Sequence, residues 1–214
     1  MTVDISLYGI VDPEHCKGRP LDELAAISAT HGATLIQYRD KKNDVRDMIR
    51  IAKIIREGLA GTGTPLIVND RVDVALASGA DGVHLGQQDM PVEDARNLLG
   101  DQAIIGLSIK TVEDARTCPV DIIDYAFVGG VYTTRSKNNP DAIGIDGWLE
   151  RASIIKNKDP DMPVGAIAGI DASNAAELFQ IGCEGIAVIS SIYMAQDVGE
   201  ATRRLATLLK ESKT

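Results

Sequence analysis

The chain has 214 residues, with 31 acidic against 22 basic side chains and a formal net charge of −9. Hydrophobic residues at 44% and charged residues at 25% are typical of a globular protein and exclude wholesale disorder. A net negative charge without a block of Lys or Arg argues against nucleic acid or an anionic membrane surface as the main partner. The net charge still allows an anionic small substrate, provided that cations are gathered at its binding site.

Cysteine spacing and hydropathy bear on the location of the protein. Cys16, Cys118 and Cys183 are widely spaced and form no C-x-x-C pair, so we expect neither a structural zinc site nor a disulfide framework. The sequence begins without the basic and apolar segments of a secretory signal, and no apolar run approaches the roughly 18 to 20 residues of a membrane span. We therefore expect a cytoplasmic protein that does not cross a membrane.

One pattern recurs along the chain: a short β-branched run, a polar loop and then an amphipathic segment. The predicted strands are 5–10, 34–38, 65–69, 82–85, 103–107, 125–128, 163–167 and 185–189. The predicted helices lie near 21–31, 44–59, 71–78, 91–99, 111–117, 146–157, 172–181 and 199–211. Three helix-to-strand joints begin at Gly32, Gly79 and Gly182, where glycine lets the chain leave a helix in a left-handed turn.

Eight strand–helix units without a linker predict a single-domain (β/α)8 TIM barrel over residues 1–214. Such barrels typically take about 250 residues, so this one is compact. A doubly wound sheet is the alternative, but it usually has fewer strands. Its Gly-x-Gly-x-x-Gly fingerprint is also absent after the first predicted strand.

Barrel enzymes place their active sites in the loops that follow the strands, so residues at the strand ends are the candidates. Arg39 and Lys41 follow the second predicted strand, and Lys137 follows the sixth. Arg offers phosphate a planar fork of donors, whereas Lys offers a point charge. Any one of them could be a solvated surface cation. All three at strand ends of an acidic protein favour an anion site.

Two carboxylates, Asp70 and Asp89, follow neighbouring strands. One or two carboxylates, with substrate phosphate completing the shell, describe the ligands of Mg²⁺. Alternatively, Asp70 caps a helix before Arg71 and Asp89 caps one before Pro91. Because the three cations also lie at strand ends, a metal-bound polyphosphate explains the two carboxylates better than helix capping does.

A second anion site is predicted after the seventh and eighth strands, where small residues occur at 168–169 and 189–191. Glycine lets backbone N–H groups approach a phosphate, and helix N-termini add a favourable dipole. This position is also the frequent phosphate site of such barrels. A glycine alone is weak evidence, because tight turns require it too.

Neutral polar residues and the absence of hydrolase motifs narrow the chemistry. Gln37, Asn69 and Ser108 end their strands and could orient a heterocycle. Neither Gly-x-Ser-x-Gly nor His-Glu-x-x-His occurs, so no hydrolytic nucleophile is indicated. His84 lies within a strand, where a hydrogen-bonded structural residue is more common than a base.

In their order along the chain these motifs resemble the thiamine phosphate synthase (thiamin-phosphate pyrophosphorylase) family. The matching segments are 7–8, 11–12, 37–41, 68–70, 81–87 with Asp89, 105–108, 129–137, 167–170 and 188–190. They extend over essentially the whole chain, and the segment 81–87, Asp-Gly-Val-His-Leu-Gly-Gln, is the most specific.

The resemblance implies a transferase that joins hydroxymethylpyrimidine diphosphate to thiazole phosphate, giving thiamine phosphate and pyrophosphate. It implies Mg²⁺ on Asp70 and Asp89. The implied catalytic residues are Arg39, Lys41, Lys137 and Ser108, the three cations neutralising the departing diphosphate. The implied substrate contacts are Gln37, Asn69 and Ser108 for the pyrimidine diphosphate and Thr134, Ser136, Gly169, Ile189 and Ser190 for the thiazole phosphate, with Tyr38, Asp40 and Arg135 in the same segments.

This chemistry agrees with the absence of an activated nucleophile. The aminopyrimidine releases electrons toward its exocyclic methylene, so diphosphate can depart first and the thiazole nitrogen then attacks. Such a reaction needs charge stabilisation and positioning more than a general base. The chain departs from the family pattern at Gly130, where Pro is frequent, and at Ala168, where Gly is usual; the Ala168 methyl restricts positive φ.

Three alternatives remain from the sequence. A thiazole tautomerase-like relative has no diphosphate to hold, and a non-catalytic barrel that binds a phosphate ligand has little need of Mg²⁺. Both fit the acid pair poorly. An aldolase-type barrel would need a Schiff-base lysine on a strand, whereas Lys41 and Lys137 fall in loops. The oligomeric state stays open, a homo-oligomer included.

Overall fold

Eight parallel strands close into a barrel in which each strand pairs with its neighbours in chain order and the last pairs with the first. This is seen in the computed structural model, which describes residues 3–133 and 142–212. The strands are β1 (Leu7–Val11), β2 (Leu35–Tyr38), β3 (Leu66–Asn69), β4 (Gly82–Leu85), β5 (Ile104–Ile109), β6 (Tyr125–Gly129), β7 (Val164–Ile167) and β8 (Gly185–Val188). The predicted barrel is confirmed.

Helices follow each strand and cover the outside of the barrel. They are α1 (Leu21–Thr30), α2 (Val45–Gly58), α3 (Val72–Ser78), α4 (Val92–Leu99), α5 (Val112–Thr117), α6 (Gly144–Lys158), α7 (Ala175–Gln180), α8 (Ser190–Tyr193) and α9 (Val198–Glu211). The sequence pattern does not predict α8, because four residues are too few to show a helical period. Within the described ranges, no helix is long and apolar enough to cross a membrane.

Buried side chains form two layers. The larger layer fills the space between the strands and the helices and includes Trp148 of α6. The smaller layer lies inside the barrel and is rich in aromatic rings, with Tyr8, Tyr125 and Phe127 all at most 1% exposed. The interior is therefore a packed core and not a pore, as in other barrels of this type.

Acidic side chains hold the amino-terminal rim of the barrel. The residue before each of β4, β6 and β8 is an acid whose carboxylate accepts a backbone N–H near the start of the preceding strand. The bonds join the Leu66, Ile105 and Val164 amides to Asp81, Asp124 and Glu184 and are 2.7, 2.8 and 2.7 Å long. Part of the chain's negative charge is therefore structural and lies away from the strand ends that carry the predicted site.

Glycines at two strand starts allow the closest backbone approaches in the barrel. A Cβ on Gly82 would lie 1.9 Å from the Ile104 carbonyl oxygen, and one on Gly185 would lie 1.9 Å from that of Ile5. The preceding helix ends as predicted at Gly79, which is left-handed with φ +70°. Small residues at these joints thus end the helix and then admit the neighbouring strand.

We expect Gly82→Ala to lower the free energy of unfolding by about 3 kcal/mol, because the added methyl would overlap the backbone of β5. Urea unfolding followed by circular dichroism measures the change. Gly129→Ala is the matched control: its Cβ would meet nothing closer than 3.8 Å, and we expect a change below about 1 kcal/mol. Equal stability of the two variants would contradict this account of barrel closure.

Candidate active site

A pocket that is partly open to solvent lies at the carboxyl ends of the strands. Its lining residues are Tyr8, Ile10, Gln37, Arg39, Asn69, His84, Ser108, Phe127, Ile167, Ala187 and Ile189. Five of them were predicted as site residues: Gln37, Arg39, Asn69, Ser108 and Ile189. Ile10, Phe127, Ile167 and Ala187 add apolar walls, while Tyr8 and His84 add polar atoms, so the pocket suits a small ring with a few polar groups.

Two predicted polar groups come from strands that stand three places apart in the barrel, β2 and β5. Gln37 is 3% exposed, and its Nε2 donates to the Tyr8 hydroxyl at 2.8 Å. Ser108 Oγ lies 2.9 Å from Nε2 of His84. His84 is thus a hydrogen-bonded residue in the barrel interior, as its strand position suggested.

The Arg39 guanidinium is oriented by Asp12, a residue that was not predicted as part of the site. The two side chains form an ion pair, and Asp12 is 1% exposed. Asp12 also accepts the Glu14 backbone N–H at 2.9 Å, which anchors the carboxylate in the loop after β1. The one available signal was the position of Asp12 directly after the first strand.

Lys41, Asp70 and Asp89 meet at one side of the rim. The Lys41 ammonium pairs with the Asp70 carboxylate. Burial raises the pKa of Asp89 above its usual range, and the adjacent Asp70 carboxylate raises it further, against the opposing effect of the Gly86 N–H, which donates at 2.7 Å. The two carboxylates repel each other, and Lys41 neutralises one of their two negative charges. A bound cation would neutralise the other.

Helix capping does not explain the acid pair. Helix α3 has Arg71 as its N-cap and α4 has Pro91, and neither side chain makes a capping hydrogen bond. Among the described residues, no cluster of three or more His, Cys, Asp or Glu could hold a metal ion. Asp70 and Asp89 alone fit Mg²⁺, which commonly takes one or two carboxylates and fills its shell with water and phosphate oxygens.

Tyr38 and Asp40, two further predicted substrate contacts, are buried beside the pocket and do not line it. The Tyr38 hydroxyl donates to Asp40 at 2.7 Å, and the Lys42 and Asn43 amides donate to the same carboxylate at 2.9 and 3.0 Å. Burial opposes ionisation of Asp40, but these hydrogen bonds outweigh it and lower the pKa. Asp40 thereby shapes the loop that carries Arg39 and Lys41.

The loop after β7 and the start of α8 form the second predicted site. Ala168 and Gly169 both have positive φ, +90° and +69°. The Ser191 hydroxyl donates to the Ile170 carbonyl at 2.5 Å, which ties α8 to this loop. Gly169 and Ser190 are thus held close to Ile189, which lines the pocket.

Arg19 and Tyr193 fix α8 from below, and neither was predicted. The Arg19 guanidinium donates to the carbonyls of Tyr193 and Ala195, the latter at 3.2 Å. The Tyr193 hydroxyl lies 2.9 Å from Ser28 Oγ in α1. Cations are favourable at helix C-termini, so Arg19 suits its position.

Four predicted residues, Thr134, Arg135, Ser136 and Lys137, lie outside the described residues. Their predicted contacts with the thiazole phosphate and the leaving diphosphate stay predictions.

Comparisons with known proteins agree on one family. The family model for thiamine monophosphate synthase matches residues 7–192. A thiamine-phosphate synthase of Agrobacterium fabrum is 50% identical over 201 residues, 94% of this chain and 91% of that protein. The solved thiamine phosphate pyrophosphorylase of Pyrococcus furiosus superposes with a TM-score of 0.85 at 35% identity, covering 99% of this chain and 98% of its own. A Mycobacterium tuberculosis tryptophan synthase structure, with TM-score 0.71 and 13% identity over 95% of this chain and 92% of its own, shares the fold alone.

Ala168 is strained, and we expect Ala168→Gly to raise the free energy of unfolding by about 1 kcal/mol. Backbone strain from an alanine at φ +90° costs roughly 1–3 kcal/mol. Glycine removes this strain, but the greater entropy of its unfolded state offsets part of the gain in stability. Urea unfolding measures the gain. The neighbouring Gly169→Ala should act in the opposite direction, because its Cβ would lie 2.4 Å from the Thr133 carbonyl oxygen. A destabilised Ala168→Gly variant would show that no strain is stored there.

Proposed function

The chain belongs to the thiamine monophosphate synthase family and is an enzyme of thiamine biosynthesis, and we propose how its residues divide the reaction. The pocket takes the pyrimidine of hydroxymethylpyrimidine diphosphate, and the rim beside it takes the diphosphate. Thiazole phosphate binds at the loop after β7 and the start of α8. The observation that carries this assignment is the meeting of Lys41, Asp70 and Asp89 at the rim beside the pocket.

The pyrimidine site is supported by shape and by polar groups. Ile10, Phe127 and Ile167 offer apolar walls to the faces of a ring. Gln37 and Ser108 offer hydrogen bonds to its edges. A small number of polar groups among apolar walls is the usual arrangement of a site for a small ring.

Charge supports the diphosphate site. Asp70 and Asp89 would hold Mg²⁺, which when bound would neutralise negative charge on the diphosphate. Arg39, held by Asp12, presents a donor fork to the phosphate oxygens, and Lys41 supplies an ammonium beside Asp70. We assign to Lys137 the stabilisation of the negative charge that develops on the leaving oxygen, as the family resemblance implies.

The thiazole phosphate is proposed to bind Gly169, Ile189 and Ser190, with Thr134 and Ser136 completing the site. Gly169 has a positive φ, and the Ser191 hydroxyl ties the start of α8 to the same loop, so backbone N–H groups of both segments are available to a phosphate. Ile189 lines the pyrimidine pocket as well, so the two rings would meet at this residue.

The proposed reaction has two steps. The bond between the exocyclic carbon and the diphosphate oxygen breaks, and its electron pair leaves with pyrophosphate. The amino group of the pyrimidine stabilises the resulting cation, and the lone pair of the thiazole nitrogen then forms the new carbon–nitrogen bond. Gln37 and Ser108 hold the ring so that its exocyclic carbon faces the thiazole, which is catalysis by positioning and charge.

A tautomerase-like activity and simple phosphate binding fit the rim less well. Neither would need the two carboxylates beside Lys41, where burial and the neighbouring Asp70 raise the pKa of Asp89. We propose a cytoplasmic location, which the three buried and unpaired cysteines Cys16, Cys118 and Cys183 support. The proposed partners are the two small substrates, without nucleic acid or membrane.

The purified protein should release pyrophosphate from the two substrates together, and only with Mg²⁺ present. We expect Asp70→Asn to lower kcat about 100-fold or more, because the charge is lost while asparagine still tolerates φ +61°. Coupled detection of pyrophosphate measures both effects. Asp73→Asn on α3, whose carboxylate pairs with exposed Arg71, is the matched control and should retain parental turnover. Parental turnover in Asp70→Asn would remove Asp70 from the metal site.

Lys137→Ala should lower kcat about 100-fold, because a cation that stabilises the departing oxygen acts on the transition state. Steady-state kinetics with each substrate varied in turn separates kcat from KM. Lys53→Ala, on the exposed side of α2, controls for the loss of one lysine. A raised KM at unchanged kcat would place Lys137 in ground-state binding instead.

A further inference from the structure

A continuous series of hydrogen bonds crosses the barrel interior at the base of the pocket. It runs from Gln37 to Tyr8 at 2.8 Å, from Tyr8 to Tyr125 at 2.9 Å, from Tyr125 to His84 Nδ1 at 3.3 Å and from His84 Nε2 to Ser108 at 2.9 Å. Gln37 and Ser108 at its ends line the pocket, as do Tyr8 and His84, and both tyrosines are fully buried. The mechanism above uses the two ends but assigns nothing to the three residues between them.

Counting the protons shows which group donates in each hydrogen bond of this series. Gln37 Nε2 can only donate, so the Tyr8 oxygen accepts from it. Among the residues that the structure describes, the Tyr8 hydroxyl has one further partner, Tyr125, to which its own proton can go. The reverse direction would leave a buried hydroxyl proton without an acceptor, which costs stability.

The same count continues to Ser108. With Tyr8 donating to it, Tyr125 gives its proton to His84 Nδ1, which therefore carries no hydrogen. An imidazole whose Nδ1 carries no hydrogen carries it on Nε2, which donates to Ser108 Oγ. Ser108 accepts from below, so its own proton is directed to a ligand in the pocket.

Packing holds the side chains of this hydrogen-bond series in place. The Tyr8 and Tyr125 rings meet edge to face at 5.8 Å between centroids, and the His84 ring stacks on Tyr125 at 5.6 Å. A Cβ on Gly106 would lie 2.2 Å from the Tyr125 ring, so that ring fills space left by a glycine on the neighbouring strand. Burial also raises the pKa of both tyrosines well above the usual range, so each keeps its single proton.

We propose that Tyr8, Tyr125 and His84 are positioning residues that fix the hydrogen-bonding character of the two pocket ends. Ser108 is set as a donor, and the Gln37 carbonyl oxygen is left as an acceptor for the ligand. The pocket therefore selects a ring that presents an acceptor to Ser108 and a donor to Gln37, as an aminopyrimidine does in one orientation. This inference rests on the proposed pyrimidine site and adds the basis of its specificity.

The tautomer of His84 tests the direction without any substrate. The chain has three histidines, so a His15→Gln and His31→Gln double variant keeps His84 alone. In ¹⁵N-histidine-labelled protein we expect an unprotonated Nδ1 and a protonated Nε2. Adding Tyr125→Phe should bring in the other tautomer, because Nδ1 loses its donor. The proposal would be overturned by a protonated Nδ1 in the double variant that retains Tyr125. It would also be overturned if the His84 signals did not move when Tyr125→Phe is added.

Tyr193→Phe in the same background is the matched control. It removes another fully buried tyrosine hydroxyl, bonded to Ser28 and outside the chain of hydrogen bonds. We expect the His84 signals to stay at their original positions. A shift as large as that of Tyr125→Phe would show a general packing effect and would also overturn the proposal.

Kinetics tests the effect on specificity. In the otherwise unchanged sequence, Tyr8→Phe and Tyr125→Phe should each raise the KM for the pyrimidine diphosphate about fivefold, the value of one neutral hydrogen bond. The KM for the thiazole phosphate should stay at its parental value. An equal rise in both would indicate a structural defect and contradict a positioning role. A parental enzyme without synthase activity would count against the proposed function instead, since the NMR measurement is independent of turnover.

Discussion

Barrel closure is the constraint on which the site depends. Eight parallel strands in one closed sheet bring all their carboxyl ends to a single rim, so residues far apart in sequence become neighbours there. Lys41, Asp70 and Asp89 follow three successive strands and meet for this reason. Closure in turn requires the two strand starts at Gly82 and Gly185, where a neighbouring backbone leaves no room for a Cβ. The chemistry at one rim is thus secured by glycines at the other.

The same geometry separates two kinds of acid in a chain of net charge −9. Asp81, Asp124 and Glu184 accept backbone N–H groups at the amino-terminal rim and hold the strands in register. Asp70 and Asp89 lie at the opposite rim, where their mutual repulsion favours a cation. An acidic protein can therefore bind a diphosphate, because part of its negative charge is engaged in structure at the opposite rim and cations are gathered at the site.

The sequence predicted the barrel because fully covered parallel strands are short apolar runs, and these recur eight times. It predicted the pocket residues Gln37 and Ser108 because the position after or near a strand end is readable from sequence. The ion pair of Asp12 with Arg39 was not predicted, since nothing local indicates which acid on a neighbouring strand an arginine will reach. The hydrogen bonds of Tyr8 and Tyr125 were missed for a related reason: buried aromatic residues within strands look like ordinary core.

Family membership does not by itself say why particular residues are strained, but the backbone does. Asp70 and Ala168 both have positive φ, and both lie at the carboxyl rim. At Asp70 the left-handed turn is useful: its amide donates to the His84 carbonyl at 2.9 Å while its carboxylate meets Lys41, and glycine there would lose the carboxylate. Aspartate also tolerates this region better than most residues. At Ala168 the methyl group offers no such return, since glycine would adopt φ +90° without strain. The strain at Asp70 therefore belongs to the site, whereas that at Ala168 is a cost of this particular sequence.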